Sequence, residues 1–291
     1  IVSAGTFIAI LFGTILGGIL ANEIKYTWLL KFVLIIFAVV GVYLSYQLPL
    51  LDADEKNKKV NWNLITSNKN ILKIIFQDRE IFSLLFGLSW FWFLGAGVLS
   101  LIPSVAHDIF KAKEIVATTM LFTFTLGMGL GPFVLEKIAK GRIFKVLIPI
   151  SLFLMSLFIF DVAFVIKQFI DGNFLPPIFE SINLSQFISV KFSFRFLFDL
   201  FCISFLGGIF TVLQFSELQL AVEKSSLSKV IAGNNILNAI FMVTVSLLIM
   251  FLHQLELGHQ VIFAIIGILN IGTGVILSFF HREEFARYWS F

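Results

Sequence analysis

The stretch IFSLLFGLSWFWFLGAGVLSLIPSVA (Ile81–Ala106) runs without a single charged residue. The hydrocarbon core of a bilayer takes about 20 residues of α-helix to cross, and this stretch exceeds that length. Its apolar residues are continuous rather than alternating. It is also about twice as long as a strand of a transmembrane barrel, so it predicts a membrane-spanning helix.

Seven more segments of the same kind surround it. Downstream lie Ile115–Leu135, Val146–Ile166 (interrupted by Asp161), Phe194–Ser216 (carrying Arg195 and Asp199), Val230–Leu252 and Gln260–Phe280. Upstream lie Ile1–Asn22 and Phe32–Leu51. The expected fold is therefore all-α and polytopic, with eight transmembrane helices. Composition agrees. The 291 residues are 58% hydrophobic and only 13% charged, with 37 phenylalanines, whereas a soluble domain carries about 25% charged residues. A mean hydropathy of +0.98 leaves more apolar surface than one aqueous core can bury.

Several functional classes fall away. A net charge of +3, with no basic helix face, gives no argument for nucleic acid as a partner. The single Cys202 provides neither a disulfide framework nor a thiolate metal site, and His107, His253, His259 and His281 are far apart in sequence without HExxH-type spacing. No GxxxxGK[ST] phosphate loop is present. No cofactor, metal or catalytic residue is expected. The chain opens within an apolar segment on Ile1 rather than Met, without a basic leader, and is expected to lack something upstream.

Assigning alternate sides to the tails and loops places 14 of the 21 Lys and Arg on one side, among them Lys58, Lys137, Arg142, Lys145, Lys224 and Arg282. The richer side is expected to be cytoplasmic, with both termini there. The connection 52–80 is long and basic. Its Leu64, Ile65, Leu72, Ile75 and Phe76 fit either the apolar side of a helix lying at the membrane surface or an ordinary linker. Residues 168–193, with NFLPPIF, predict an irregular loop on the other side.

The polar residues inside the spans are the candidate functional residues. SKVIAGNNILNAIFMV (Ser228–Val243) holds Asn234, Asn235 and Asn238, whose three- and four-residue spacings predict a common face. A buried amide without a partner costs about a few kcal/mol, so these face either neighbouring helices or a polar substrate. Arg195 and Asp199 are four apart and can pair along one helix, with Asp161 at similar depth in the preceding span. They form either a structural ion cluster or a gating and coupling device. Ser89 and Trp90 lie mid-span in SWFWF, where Trp90 and Trp92 point to different faces and serve packing or an amphiphile. Gln214 and Glu217, toward the inner end of their span, are further cavity candidates. Gly127 with Gly131, and Gly13 with Gly17, have the small-xxx-small spacing of close helix contact.

Two spans, a long basic connection and six spans match the last eight helices of a twelve-helix major facilitator. The loop GPFVLEKIAKGRI (Gly131–Ile143) resembles that superfamily's loop between paired helices, G-x-x-x-D-R-x-G-R. Glu136 and Lys137 stand at its acid and basic positions, with Gly141 and Arg142 closing it. The stretches IVSAGTFIAILFGTILGGILAN, VNWNLI, DREIFSLLFGLSWFWFLGAGVLSLIP and SKVIAGNNILNAIFMV resemble the lysophospholipid transporter branch. They are most similar to transporter modules fused, in some bacteria, to a 2-acylglycerophosphoethanolamine acyltransferase and an acyl-ligase.

This resemblance implies a partial facilitator fold, equivalent to helices five to twelve. Residues 1–51 would supply two helices of the first half, 52–80 a cytoplasmic linker, 81–281 the six-helix second half built three-plus-three, and 282–291 a cytoplasmic tail. The implied function is movement of lysophospholipids across a bacterial inner membrane by alternating access. Asn234, Asn235 and Asn238 would lie in the eleventh helix, which adjoins the central cavity. The implied partners are the lipid itself and an acyltransferase or acyl-ligase, and a separate chain would supply the first four helices. Three features depart from the pattern. Nothing matches those four helices, FWFLGAGVLSLIP lacks the arginine of the stand-alone transporters, and no histidine begins an H-x-x-x-x-D acyltransferase signature. The alternatives are a facilitator for another small molecule, or an inactive membrane anchor beside an acyltransferase.

Overall fold

The structure, a computed structural model of the chain, describes residues 9, 12, 13, 16, 17, 27–48, 75–139, 144–172 and 181–280. Seven helices among them are long and apolar enough to cross a membrane. They are α1 (Thr27–Tyr46), α2 (Arg79–Ser104), α3 (Glu114–Ala139), α4 (Leu147–Gly172), α6 (Ser193–Ala221), α7 (Lys224–Gln254) and α8 (His259–Phe280), with a short α5 (Leu184–Ser189) before α6. No strand occurs among the described residues, only one isolated bridge between Ala112 and Ile182. The first expected span, Ile1–Asn22, lies outside the described residues apart from five isolated positions.

Several helices run past the expected limits into flanking polar residues. α1 starts at Thr27, so Lys31 is inside it, and it stops at Tyr46 rather than Leu51. α7 starts at Lys224, six residues before the apolar run begins. The region 168–193 is more regular than expected. α4 continues to Gly172, and Asn183 with Gln186 forms a capping box that starts α5. Of the expected surface helix, Leu64, Ile65 and Leu72 lie outside the described residues. Ile75 is buried and Phe76 is exposed.

Helices α2 to α8 form one bundle around two apolar clusters. The larger includes Phe91, Leu94, Met155, Ile203 and Ile266, and the smaller packs Ile75, Leu84, Leu88, Leu218, Val222 and Leu237 at one end. α2 is central and packs against α6, α7 and α8, while α3 pairs with α6 and α4 with α8. In the α3–α6 pair the backbones touch. A Cβ added at Gly131 would sit 2.2 Å from the Phe205 carbonyl oxygen, and one at Gly208 would sit 2.6 Å from that of Met128. Gly127 faces the Phe201 carbonyl in the same way, at 2.4 Å. Among the described residues, Gly13 and Gly17 make no such contact. No described residue of α1 is fully buried, and only Leu29, Leu30 and Val33 are half-buried.

α2 begins with Asp78 accepting from the amides of Glu80 (2.9 Å) and Ile81 (3.1 Å). Near its end Pro103 removes one amide donor, and the helix opens into a π-helical turn, Val105–Ile109. The turn delivers Phe110, fully buried, against the rings of Phe169, Phe187 and Phe196 at 4.7–5.2 Å. The helix ends define two sides. The starts of α2, α4 and α7 and the ends of α3, α6 and α8 share one, here the basic side with Lys137, Lys145 and Lys224. The end of α2, the loops around α5 and the α7–α8 turn share the opposite side.

Candidate functional site

The amides of α7 divide between two faces. Asn234 and Asn238 are buried against α2, whereas Asn235 is exposed, so the expected common face of all three is corrected to a buried pair and one outward residue. The cause is helical geometry, since adjacent residues point about 100° apart and Asn234 and Asn235 cannot both face α2. The Asn238 amide closes a small network. With the amide turned so that each of its atoms meets a complementary partner, its nitrogen donates to Ser89 Oγ (3.0 Å) and the Asn234 carbonyl (3.1 Å), and its oxygen accepts from Asn234 Nδ2 and Trp92 Nε1, both at 3.1 Å.

Trp90 turns the other way. Its Nε1 donates to Asn270 Oδ1 (2.8 Å), and Asn270 Nδ2 donates to the Leu152 carbonyl (2.7 Å) and Ser156 Oγ (3.0 Å), joining α2, α8 and α4. Sequence reasoning passed over Asn270, although an amide in the middle of an apolar span was the signal.

Asn235 belongs to a line. Ser228, Asn235, Ser246 and His253 are separated by seven, eleven and seven residues, which returns each to within about 20° of the same direction, and all four are exposed. Ile231 and Met242 flank Asn235 on that open side, and Trp92 is 40% exposed beside the network. A helix of membrane-spanning length with a polar line on its open face needs water or protein opposite it.

Charged residues form two further clusters in the bundle. Arg195, in the first turn of α6, reaches across to α4 and forks onto Asp161, with Nε to Oδ2 at 2.7 Å and Nη2 to Oδ1. The expected Arg195–Asp199 pair along one helix is therefore replaced by a bidentate pair between helices, whose planar fit favours Asp161. Asp199 is 1% exposed, within hydrogen-bonding reach of Asp161, with Oδ2 unpartnered. Asp161 also lines an open groove with Leu157, Phe158 and Phe160.

Toward the basic side, Lys145 Nζ lies 2.7 Å from Glu217 Oε2. Gln214 is fully buried, its amide laid flat on Gly87 so closely that a Cβ there would sit 2.3 Å from Nε2. The two amide atoms of Gln214, Ser83 Oγ and Glu217 Oε1 are buried without a partner. Glu136 and Lys137 are exposed in the last turn of α3, and Gly141 and Arg142 lie outside the described residues.

Folding also gathers three histidines that lie apart in sequence. His107 Nδ1 is 2.9 Å from Asp108 Oδ1, His259 Nε2 is 3.1 Å from Ser104 Oγ, and the His253 and His259 rings are 5.3 Å apart. Among the described residues no group of three or more His, Cys, Asp and Glu has metal-binding geometry.

Residues 1–179 match the sequence family described as Major Facilitator Superfamily. The chain belongs to the major facilitator superfamily. No curated protein and no solved structure matches it. As a major facilitator it is an integral membrane protein and a membrane transporter with a partial facilitator fold, and its family is generally non-enzymatic. In a facilitator's terms, the open line on α7 is the candidate cavity surface, with the Ser89–Trp92–Asn234–Asn238 network behind it. The two ion clusters are candidate gates, one on each side of the network.

Proposed function

We propose that this facilitator moves lysophospholipids across the inner membrane of a bacterium by alternating access, from the outer to the inner leaflet. The observation that carries the reading is Asn235. It is an uncharged amide on the open face of a lipid-length helix, with Trp92 beside the network behind it and apolar Ile231 and Met242 along the same side. Such a surface offers hydrogen bonds to a zwitterionic head group without demanding net charge, and a greasy margin for a trailing acyl chain. The resemblance of four stretches to the lysophospholipid transporter branch supports the same substrate.

In this reading residues 1–51 belong to the first half of the transporter, 52–80 link the halves, 81–281 form the second half and 282–291 a tail. The basic side faces the cytoplasm, as do both termini. The bare apolar surface of α1 and the open line on α7 fit further facilitator helices opposite, in the same polypeptide or in a partner chain. An acyltransferase or acyl-ligase is the partner that would consume the product. The exposed α1 surface also suits a second reading, a membrane anchor for such an enzyme.

The test is movement of labelled lysophosphatidylethanolamine in proteoliposomes holding the chain. Movement above that in protein-free vesicles is expected, reduced several-fold by Asn235→Ala. Absence of movement overturns the transport reading in favour of the anchor. Movement of other solutes alone replaces the substrate.

A further inference from the structure

The buried polar set on the basic side of the bundle has the composition of a site for a primary ammonium group. α2 and α6 run antiparallel and touch where Gln214 lies on Gly87. One turn toward the basic side along each helix brings Ser83 and Glu217 to the same level. All three polar side chains are more than nine-tenths buried, and they leave three oxygens without a donor: Ser83 Oγ, Gln214 Oε1 and Glu217 Oε1. Leaving such atoms bare is costly, so an interface kept dry and empty would not hold them. The fourth oxygen, Glu217 Oε2, does have a donor, the Lys145 ammonium at 2.7 Å. Lys145 enters from the start of α4 and is about one-third exposed, whereas Glu217 is 5% exposed, so the lysine caps the set from the water side.

We propose that Ser83, Gln214 and Glu217 bind the primary ammonium of an amphiphilic substrate at these three donor-free oxygens, and that its charge there releases the Lys145 ammonium from Glu217 Oε2. A primary ammonium has three N–H donors, which equals the number of donor-free oxygens that the carboxylate, the amide and the hydroxyl offer. A trimethylammonium carries the same charge but no donor, and it is too bulky for an interface that Gly87 keeps narrow. The two cations compete for one carboxylate, so the lysine closes the basic side when no substrate is present and lets go when a head group arrives. This deepens the lysophospholipid reading and rests on it for the identity of the carrier's cargo. The ammonium site itself can be read without transport.

The experiment is calorimetric titration of the full chain, in a maltoside detergent, with decylamine and with decyltrimethylammonium, each corrected for protein-free micelles. The wild type is expected to bind the primary amine at least about tenfold more tightly than the quaternary one. Glu217→Gln removes the preference, and Lys145→Gln, which leaves the three oxygens in place and removes the cation competing for the same carboxylate, tightens the primary amine several-fold. Monodisperse elution certifies that each variant is folded. If Glu217→Gln does not fold, Ser83→Ala with Lys145→Gln carries the test, the first weakening and the second strengthening amine binding. An equal preference in wild type and Glu217→Gln, or no tightening in Lys145→Gln, overturns the site. Amine preference without lysophospholipid movement upholds the site and overturns the transport reading. Lysophospholipid movement without amine preference does the reverse.

Discussion

The α3–α6 and α2–α7 interfaces join the same bundle by opposite means. Between α3 and α6, Gly127, Gly131 and Gly208 bring backbone against backbone, and even one added methyl would meet a carbonyl. Between α2 and α7, amides, a hydroxyl and an indole hold the contact through hydrogen bonds at 3.0–3.1 Å. Glycine contacts gain from dispersion at close range and have one arrangement. A side-chain network has rotamers, and its members can exchange partners. In a transporter that alternates between two states, the first interface suits a rigid unit and the second a seam that re-forms. The amides also stand directly behind the open line of α7, where a substrate would change their hydrogen bonding.

The comparison breaks most visibly at glycine. Gly131→Leu places a side chain where the Phe205 carbonyl already sits, and relief requires the two helices to separate. It is expected to cost about 3 kcal/mol or more, read as aggregation or a large loss of thermal stability in detergent. A variant as stable as wild type would show that the α3–α6 contact is loose. The amide seam is expected to be weaker. Asn238→Leu and Trp92→Phe, combined in a double-mutant cycle of chemical unfolding, should couple by about 0.6–1.7 kcal/mol. Zero coupling would remove Trp92 from the network. The smallest stability effect belongs to Asn235→Ala, within about 0.5 kcal/mol because the side chain is exposed. This is the same substitution that should reduce lipid movement, so a large loss of stability would assign Asn235 to packing instead.

Much of this architecture was legible in the sequence, because a bilayer imposes length and continuity on every helix that crosses it. The runs from Ile81 to Phe280 therefore marked the spans, and Gly127 with Gly131 marked a close contact before any geometry was known. The site was legible in composition but not in direction. Asn234, Asn235 and Asn238 stood out, yet a turn of about 100° between neighbours decided which of them met α2. The Lys145–Glu217 pair and the histidine group depend on which helices become neighbours, and no local pattern records that, whereas Asp161 stood out as a partner by its depth level with Arg195. α5 was missed because its capping box lies in a stretch too polar and too short for hydropathy to register.

The π-helical turn at Val105–Ile109 works as slack in the length of the chain. It accommodates one residue more than an α-helical turn would. Deleting one of those five residues should let the coil heal into an ordinary helix with Phe110 still among its three aromatic neighbours, whereas a deletion in the regular turns of α2 would rotate everything beyond it by about 100°. A one-residue deletion is therefore absorbed here better than elsewhere in α2, whereas a bulky substitution at buried Val105 or Ala106 is not.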